Sequence, residues 1–317
     1  MVIATPAITE YALNVTDPTH NPSDYPPFGV TVDLVVFSII NKSLRILLIQ
    51  RDQTPFLGKW ALPGGFVLPH ENLEQAARRE LAEETSIGKE VGHLEQLGTY
   101  GEPDRDPRQR VVTVAYWGIA HDLPEPQGGS DARYAEHVPV AEVASGNIRL
   151  AFDHNKILTD AIRRIHHKIS YTPLATRFCA KEFTISELRS AYDAIWQDTI
   201  EFTNLENIKP IPATFEQPKL SLVTPDLKMK YQIASAPPKV ANPPALTLAK
   251  PIKGSDYTKL DTGNFQRSVL QIEGFLQSTG KKSSPSASGG RPAELYTAGD
   301  IKELTPPIHP KTPKPKK

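Results

Sequence analysis

Glu80, Glu83 and Glu84 stand at i, i+3 and i+4, a spacing that puts all three carboxylates on one face if the segment is helical. Like charges this close repel one another, so the arrangement is costly without a cation beside it. Hard divalent cations such as magnesium or manganese take carboxylate oxygens, with waters and substrate phosphates completing the shell. The three glutamates are therefore candidate metal ligands. Either Glu83 or Glu84 is the candidate general base, and the sequence does not choose between them. Arg79, directly before them, is suited to orient a carboxylate through a charge-assisted bond rather than to touch a substrate. Glu83, Glu84 and Arg79 make up the candidate catalytic set. Upstream, Gly64 and Gly65 allow close backbone approach and positive φ.

Several elements must hold these groups in place. Asn72, with Gln75 three residues later, is an N-cap with a capping box. Leu73, Ala76, Ala77, Leu81 and Ile87 then form a buried stripe at helical spacing. The plain alternative, a surface helix laced with i,i+4 ion pairs, does not account for the loop that precedes it. Earlier, Val32, Leu34–Phe37, Ile39 and Ile40 read as a strand, Asn41-Lys42-Ser43 as a turn, and Leu44–Gln50 as a second strand of a hairpin. Val111–Ile119 alternates as a strand, and Asn155–Ile169 repeats its isoleucines and leucine as a helix. His154, His166 and His167 lack ligand spacing and read as helix-surface residues.

Gly65, five residues, Glu71, seven residues and then Arg79-Glu80-Leu81-Ala82-Glu83-Glu84-Thr85-Ser86-Ile87 resembles the Nudix box. The one departure is Ser86, which stands where the family pattern has glycine. It touches the turn after the helix and removes no ligand. The resemblance implies a mixed β-sheet clasped between helices, an α/β (α+β) Nudix fold over residues 28–155. It also implies magnesium-dependent hydrolysis of a nucleoside diphosphate linked to another group. Pro103 lies 16 residues after Ile87, an offset typical of ADP-ribose-hydrolysing Nudix proteins. Arg105 and Arg108, in the same loop, are candidates to reach a phosphate or ribose, so Gly64, Gly65, Pro103, Arg105 and Arg108 form the expected ligand-binding set. Ser130-Asp131-Ala132-Arg133 and Leu150-Ala151-Phe152-Asp153-His154 resemble the same branch. Phe152 and Trp60 are each a stacking partner for adenine or a core residue.

The 317 residues allow two domains. The 30 prolines are about twice the usual share, and nine fall between 209 and 251. A lone cysteine, Cys179, excludes an internal disulfide and fits a reducing compartment. The N-terminus shows no basic region followed by an apolar run, and no apolar run is long enough to cross a bilayer, so a cytoplasmic protein without a membrane role is expected. Net charge is zero overall, yet residues 1–158 carry −8 and residues 159–317 carry +8. That division fits a basic half meeting a polyanion.

In that half, Phe183-Thr184-Ile185-Ser186-Glu187-Leu188 opens a capped helix with Leu188, Tyr192 and Ile195 inward, and a further helix starts near Thr262 with Phe265, Val269, Ile272 and Phe275. Gly280-Lys281-Lys282 follows as a glycine-tipped turn, then a short strand at Leu295-Tyr296. The order resembles the winged helix-turn-helix domain of the Nudix-related transcriptional regulators, bacterial repressors of NAD-biosynthesis genes that respond to ADP-ribose. The resemblance also rests on Tyr171–Ala175, on Asn264-Phe265-Gln266-Arg267 and on Gly290–Tyr296. It implies DNA contacts by Asn264, Gln266, Arg267, Lys281, Lys282 and Arg291, and a homodimer on paired half-sites. The expected organisation is a flexible arm (1–27), the Nudix domain (28–155), a connecting helix (156–171) and a winged-helix domain (172–298). A Pro-rich insertion (199–257) interrupts the last, and a disordered Pro/Lys tail (299–317) follows. The expected function is a repressor released by ADP-ribose and able to cleave it slowly to AMP and ribose 5-phosphate. The alternative is a pyrophosphatase for ADP-ribose, or for another nucleoside-diphosphate-linked compound, with no role on DNA.

Overall fold

The computed structural model describes residues 27–87, 91–126, 128, 132–199, 261–284 and 291–309. The expected arm and insertion lie outside these residues but for Pro27 and Thr199. Strands β1 (Gly29–Ile40) and β2 (Ser43–Arg51) form the expected hairpin. Asn41 and Lys42 make its turn with φ of 53° and 64°, the paired positive values that a two-residue turn needs to follow strand twist.

Around this hairpin a seven-stranded sheet runs in the order β3-β2-β1-β6-β5. Its other members are β3 (Trp60–Ala61), β4 (Gly64–Phe66), β5 (His93–Tyr100), β6 (Val111–Ile119) and β7 (Ala132–Pro139), with β4 on β1 and β7 on β2. The β1–β6 pair is parallel and the others antiparallel, so the sheet is mixed, as expected. Alternation along β1 divides the core between two faces. Val32, Leu34 and Val36 pack with Ala76, Ala77 and Leu81 of helix α1 (Leu73–Thr85). Val35 and Phe37 pack on the other face with Ile157, Leu158, Ala161, Ile162 and Ile165 of α3 (His154–Tyr171), which follows the short α2 (Val140–Ala144).

That second core does not stop at the sheet. It continues through Ala175 and Phe178 of a 3-10 turn (Pro173–Phe178) into α4 (Ile185–Asp198) and α5 (Thr262–Gln271). Leu188, Tyr192 and Ile195 of α4, Phe265 and Val269 of α5, and Ile272 and Phe275 beyond it are all buried. Strands β8 (Leu276–Lys282) and β9 (Glu294–Ala298) pair antiparallel, and Phe183 and Tyr296 exchange backbone hydrogen bonds of 2.9 and 2.8 Å. Gly280, Lys281 and Lys282 lie inside β8 rather than at the turn, across a register irregularity between Ser278 and Lys282.

Two contacts tie the C-terminal elements back to the sheet. Asp198, at the end of α4, accepts from Leu44 N at 2.6 Å and from Ser43 Oγ at 2.9 Å. Residues 299–309 correct the expectation of a disordered tail from 299. Leu304 and Ile308 are buried, and their amides donate to Tyr171 O at 2.8 Å and Ser170 O at 2.9 Å. Two apolar side chains among the prolines are enough to seat this stretch on the end of α3. Among the described residues no helix is long and apolar enough to cross a membrane.

Candidate functional site

Helix α1 begins as its sequence dictates. Asn72 Oδ1 accepts from Gln75 N at 2.9 Å, and Gln75 Oε1 accepts from Asn72 N at 2.8 Å, satisfying two amides that the first turn leaves unpaired. The helix ends at Ser86, in the left-handed region with φ 59°, where glycine would be unstrained. Its stripe of two alanines and Leu81 brings the backbone close to the sheet and leaves Arg79, Glu80, Glu83 and Glu84 towards the loop before it.

Arg79 organises the acidic face. It grips Glu71 through two bonds of 2.9 and 2.6 Å and reaches Glu80 at 2.8 Å, Glu83 at 3.0 Å and the Phe66 carbonyl at 3.0 Å. The Arg79 bonds hold the Glu71 carboxyl at about 2. Glu80 is raised by burial, with Arg79 pulling the other way. Burial pushes Glu84 up to about 8, against the Gly64 amide that donates to it at 2.8 Å. The two glycines are needed for space. A Cβ on Gly65 would lie 2.4 Å from Glu80 Oε1, and one on Gly64 would lie 2.1 Å from Val32 O.

Gly64, Gly65, Glu80, Glu83 and Glu84 line one cleft of about 410 Å³. Beneath it lies a buried polar network. Arg105 is almost fully buried and bonds Asp153 at 3.0 and 2.7 Å and Asp33 at 3.3 Å. Burial works against its charge, but the two aspartates outweigh that and raise its pKa. His154 accepts from Leu62 N through Nδ1 at 2.9 Å and places Nε2 3.4 Å from Asp33 Oδ1. Burial lowers its pKa. At the mouth, Arg108 is held on Asp106 and lies over the Phe66 and Phe152 rings at 5.6 and 5.9 Å, while Arg51 lies over Phe152 at 4.9 Å.

The structure therefore gathers Glu80, Glu83, Glu84, Gly64, Gly65, Arg105 and Arg108 round one cleft, with Arg79 behind the carboxylates. Pro103 is exposed and outside the lining. Arg105 faces the cleft, but its guanidinium is committed to Asp33 and Asp153. Phe152 lines the cleft, whereas Trp60 packs edge-on against Tyr134 at 6.1 Å. His154 is corrected from a surface residue to a buried one, with Leu62 N bonded to Nδ1 and Asp33 facing Nε2. Asp33 and Arg51 carried no expectation and Asp153 only its place in the Leu150–His154 resemblance, although an aspartate inside the apolar run Val32–Phe37 was a visible signal. Ser130 and Asp131 of the Ser130–Arg133 stretch lie outside the described residues.

The residues fit a hard divalent cation. Among the described residues no three acidic, histidine or cysteine side chains converge as a cage, and Glu83 is bonded to Arg79 at 3.0 Å. Magnesium needs only one or two carboxylates beside waters and phosphates, and Glu80 and Glu84 sit in a burial that disfavours their charge until a cation answers it. The chemistry that such an ion supplies is neutralisation of phosphate charge and acidification of a bound water.

The C-terminal candidates are all exposed. Arg267 donates to Asn264 Oδ1 at 2.6 Å and to Gly263 O at 3.2 Å, Lys281 pairs with Glu182 at 2.7 Å, and Gln266 shares the outer side of α5. Lys282 ends β8 and Arg291 precedes β9.

A match to the NUDIX domain family spans residues 30–161. The ADPR responsive transcriptional repressor NtrR of Acinetobacter baylyi is 37% identical over 181 residues, 56% of this chain and 71% of the relative. The ADP-ribose pyrophosphatase of Methanocaldococcus jannaschii is 42% identical over 132 residues, 41% of this chain and 73% of that one. The crystal structure of Shewanella oneidensis NrtR complexed with a 27mer DNA aligns with TM-score 0.54 at 26% identity, covering 87% of this chain and 99% of that one. The chain belongs to the Nudix family. Within it, the sequence and the structure stand close to the NtrR and NrtR regulators.

Proposed function

We propose that the chain is an ADP-ribose-responsive, DNA-binding repressor of NAD-metabolism genes whose Nudix site also hydrolyses ADP-ribose with magnesium or manganese. The observation that carries this reading is one chain holding both an acidic cleft and, on the same core, two helices and a β-hairpin, in an order that aligns along 99% of NrtR. In this reading α4, α5 and β8–β9 act as a winged helix-turn-helix. Asn264, Gln266 and Arg267 read the groove, and Lys281, Lys282 and Arg291 meet phosphate. A homodimer presents two such readers to paired half-sites.

In the cleft, Glu80 and Glu84 would hold the cation, with Glu83 as the third expected ligand, and Glu83 or Glu84 takes the proton of the attacking water. Its oxygen bonds to one phosphorus of the pyrophosphate and the bridging P–O bond breaks, giving AMP and ribose 5-phosphate. Arg79 keeps the carboxylates in place. Arg108 and Phe152 meet the ligand at the mouth, and Arg105 supports the floor from below. The expected outcome for Glu83→Gln is a loss of hydrolysis of at least about a hundredfold, read as AMP released, with ADP-ribose still bound. Unchanged turnover in this variant would remove the hydrolytic part of the reading.

The second reading, an ADP-ribose pyrophosphatase without a DNA role, is favoured by α5 itself. Its one cationic side chain, Arg267, is folded back onto Gly263 and Asn264. Arg267→Ala separates the two: the repressor reading expects DNA binding weakened by about 1–3 kcal/mol, the other no DNA binding to weaken.

A further inference from the structure

The turn carrying the two glycines is held at consecutive positions. Leu34 N donates to Pro63 O at 2.9 Å, Gly64 N donates to Glu84 Oε2 at 2.8 Å, and the space of the missing Gly65 Cβ is filled by the Glu80 carboxylate. The remaining anchor comes from the far side of the cleft. Leu62 N donates to His154 Nδ1 at 2.9 Å, a buried bond between residues 92 apart in the chain. Just before it, Ala151 N donates to Trp60 O at 2.8 Å, so the entry to α3 is stitched along Trp60–Leu62.

We propose that His154 is a positioning residue for the ligand site. Its Nδ1 lone pair holds the Leu62 amide and so fixes the Leu62–Gly65 turn against which Glu80 and Glu84 are set. A backbone amide donating to Nδ1 requires the neutral ring with its proton on Nε2. Asp33, facing Nε2 at 3.4 Å, favours that tautomer. Asp153 and Arg105 complete the polar surroundings. Without the acceptor, the buried Leu62 amide loses its partner and the turn is free to shift.

The proposal rests on the cleft being the ADP-ribose site, and the test keeps the two apart. Asparagine places an oxygen acceptor where Nδ1 lies, whereas glutamine places its amide group near Nε2. In the full-length protein, His154→Ala and His154→Gln are expected to speed Leu62 amide exchange and to weaken ADP-ribose binding about tenfold by calorimetry. His154→Asn is expected to restore both. Nitrogen-15 spectra of the unmutated protein are expected to show an unprotonated Nδ1. A protonated Nδ1, or asparagine performing no better than alanine, overturns the proposal. So does alanine leaving both Leu62 exchange and affinity unchanged. If the unmutated protein binds no ADP-ribose, the functional reading fails, while the tautomer and the Leu62 exchange still decide the role of His154.

Discussion

Single side chains carry most of the chemistry, and the legible ones are those whose meaning is local. The i, i+3, i+4 glutamates and the Asn72–Gln75 box lie within one helix, so spacing alone places them. Asp33, Arg105 and the adjacent pair Asp153 and His154 lie on three separate segments and meet only after the sheet sets β1 beside β6 and α3 folds over its end. Nothing local announces that Arg105 will be spent on two aspartates rather than on a phosphate. At this scale Ser86 gives a direct prediction. Its left-handed φ of 59° strains a residue with a Cβ, so Ser86→Gly is expected to stabilise the protein by about 0.5–1 kcal/mol in denaturant unfolding. Cys179 gives another. Burial pushes its thiol up to about 12, so a thiolate-selective reagent is expected to label the folded protein slowly and the unfolded protein fast. Equal rates would contradict the burial.

Elements decide how the two halves communicate. Strand β2 runs from Ser43 and Leu44, which bond Asp198, to Arg51 at the cleft. An aspartate in the last turn of a helix opposes the helix dipole, so its tertiary bonds must outweigh the local preference. Asp198→Ala is expected to cost about 1–3 kcal/mol of stability by chemical denaturation, with a loss near zero contradicting the contact. His166, expected on the helix surface, is instead packed where α3 meets the end of α4, with its Nε2 bonding Thr199 Oγ1. Burial lowers the His166 pKa from 6.5 to about 4, so between those values the unfolded chain binds the extra proton. Stability is therefore expected to be full above pH 6.5 and to fall as pH drops towards 4. His166→Gln is expected to flatten that slope in a Tm–pH series. The start of α4 behind these contacts was legible from its Thr184–Glu187 capping box. The seating of residues 299–309 was not, because Leu304 and Ile308 show no period among prolines.

At the scale of the whole molecule, one continuous core joins the sheet, α3, α4 and α5, so an event in the cleft and the pose of α5 share a packed path. The sequence division into an acidic and a basic half matches the proposed ligand cleft in the first half of the chain and the exposed Arg267, Lys281, Lys282 and Arg291 in the second. Binding of DNA and of ADP-ribose must then be coupled reciprocally if ligand releases DNA. The most direct test is a gel shift of the full-length Glu83→Gln protein on its own upstream DNA, with and without ADP-ribose, since this variant is expected to consume the effector at least about a hundredfold more slowly. The account predicts a salt-sensitive complex that ADP-ribose dissolves and that AMP does not. A complex that ADP-ribose leaves intact, or no complex at low salt, would contradict it.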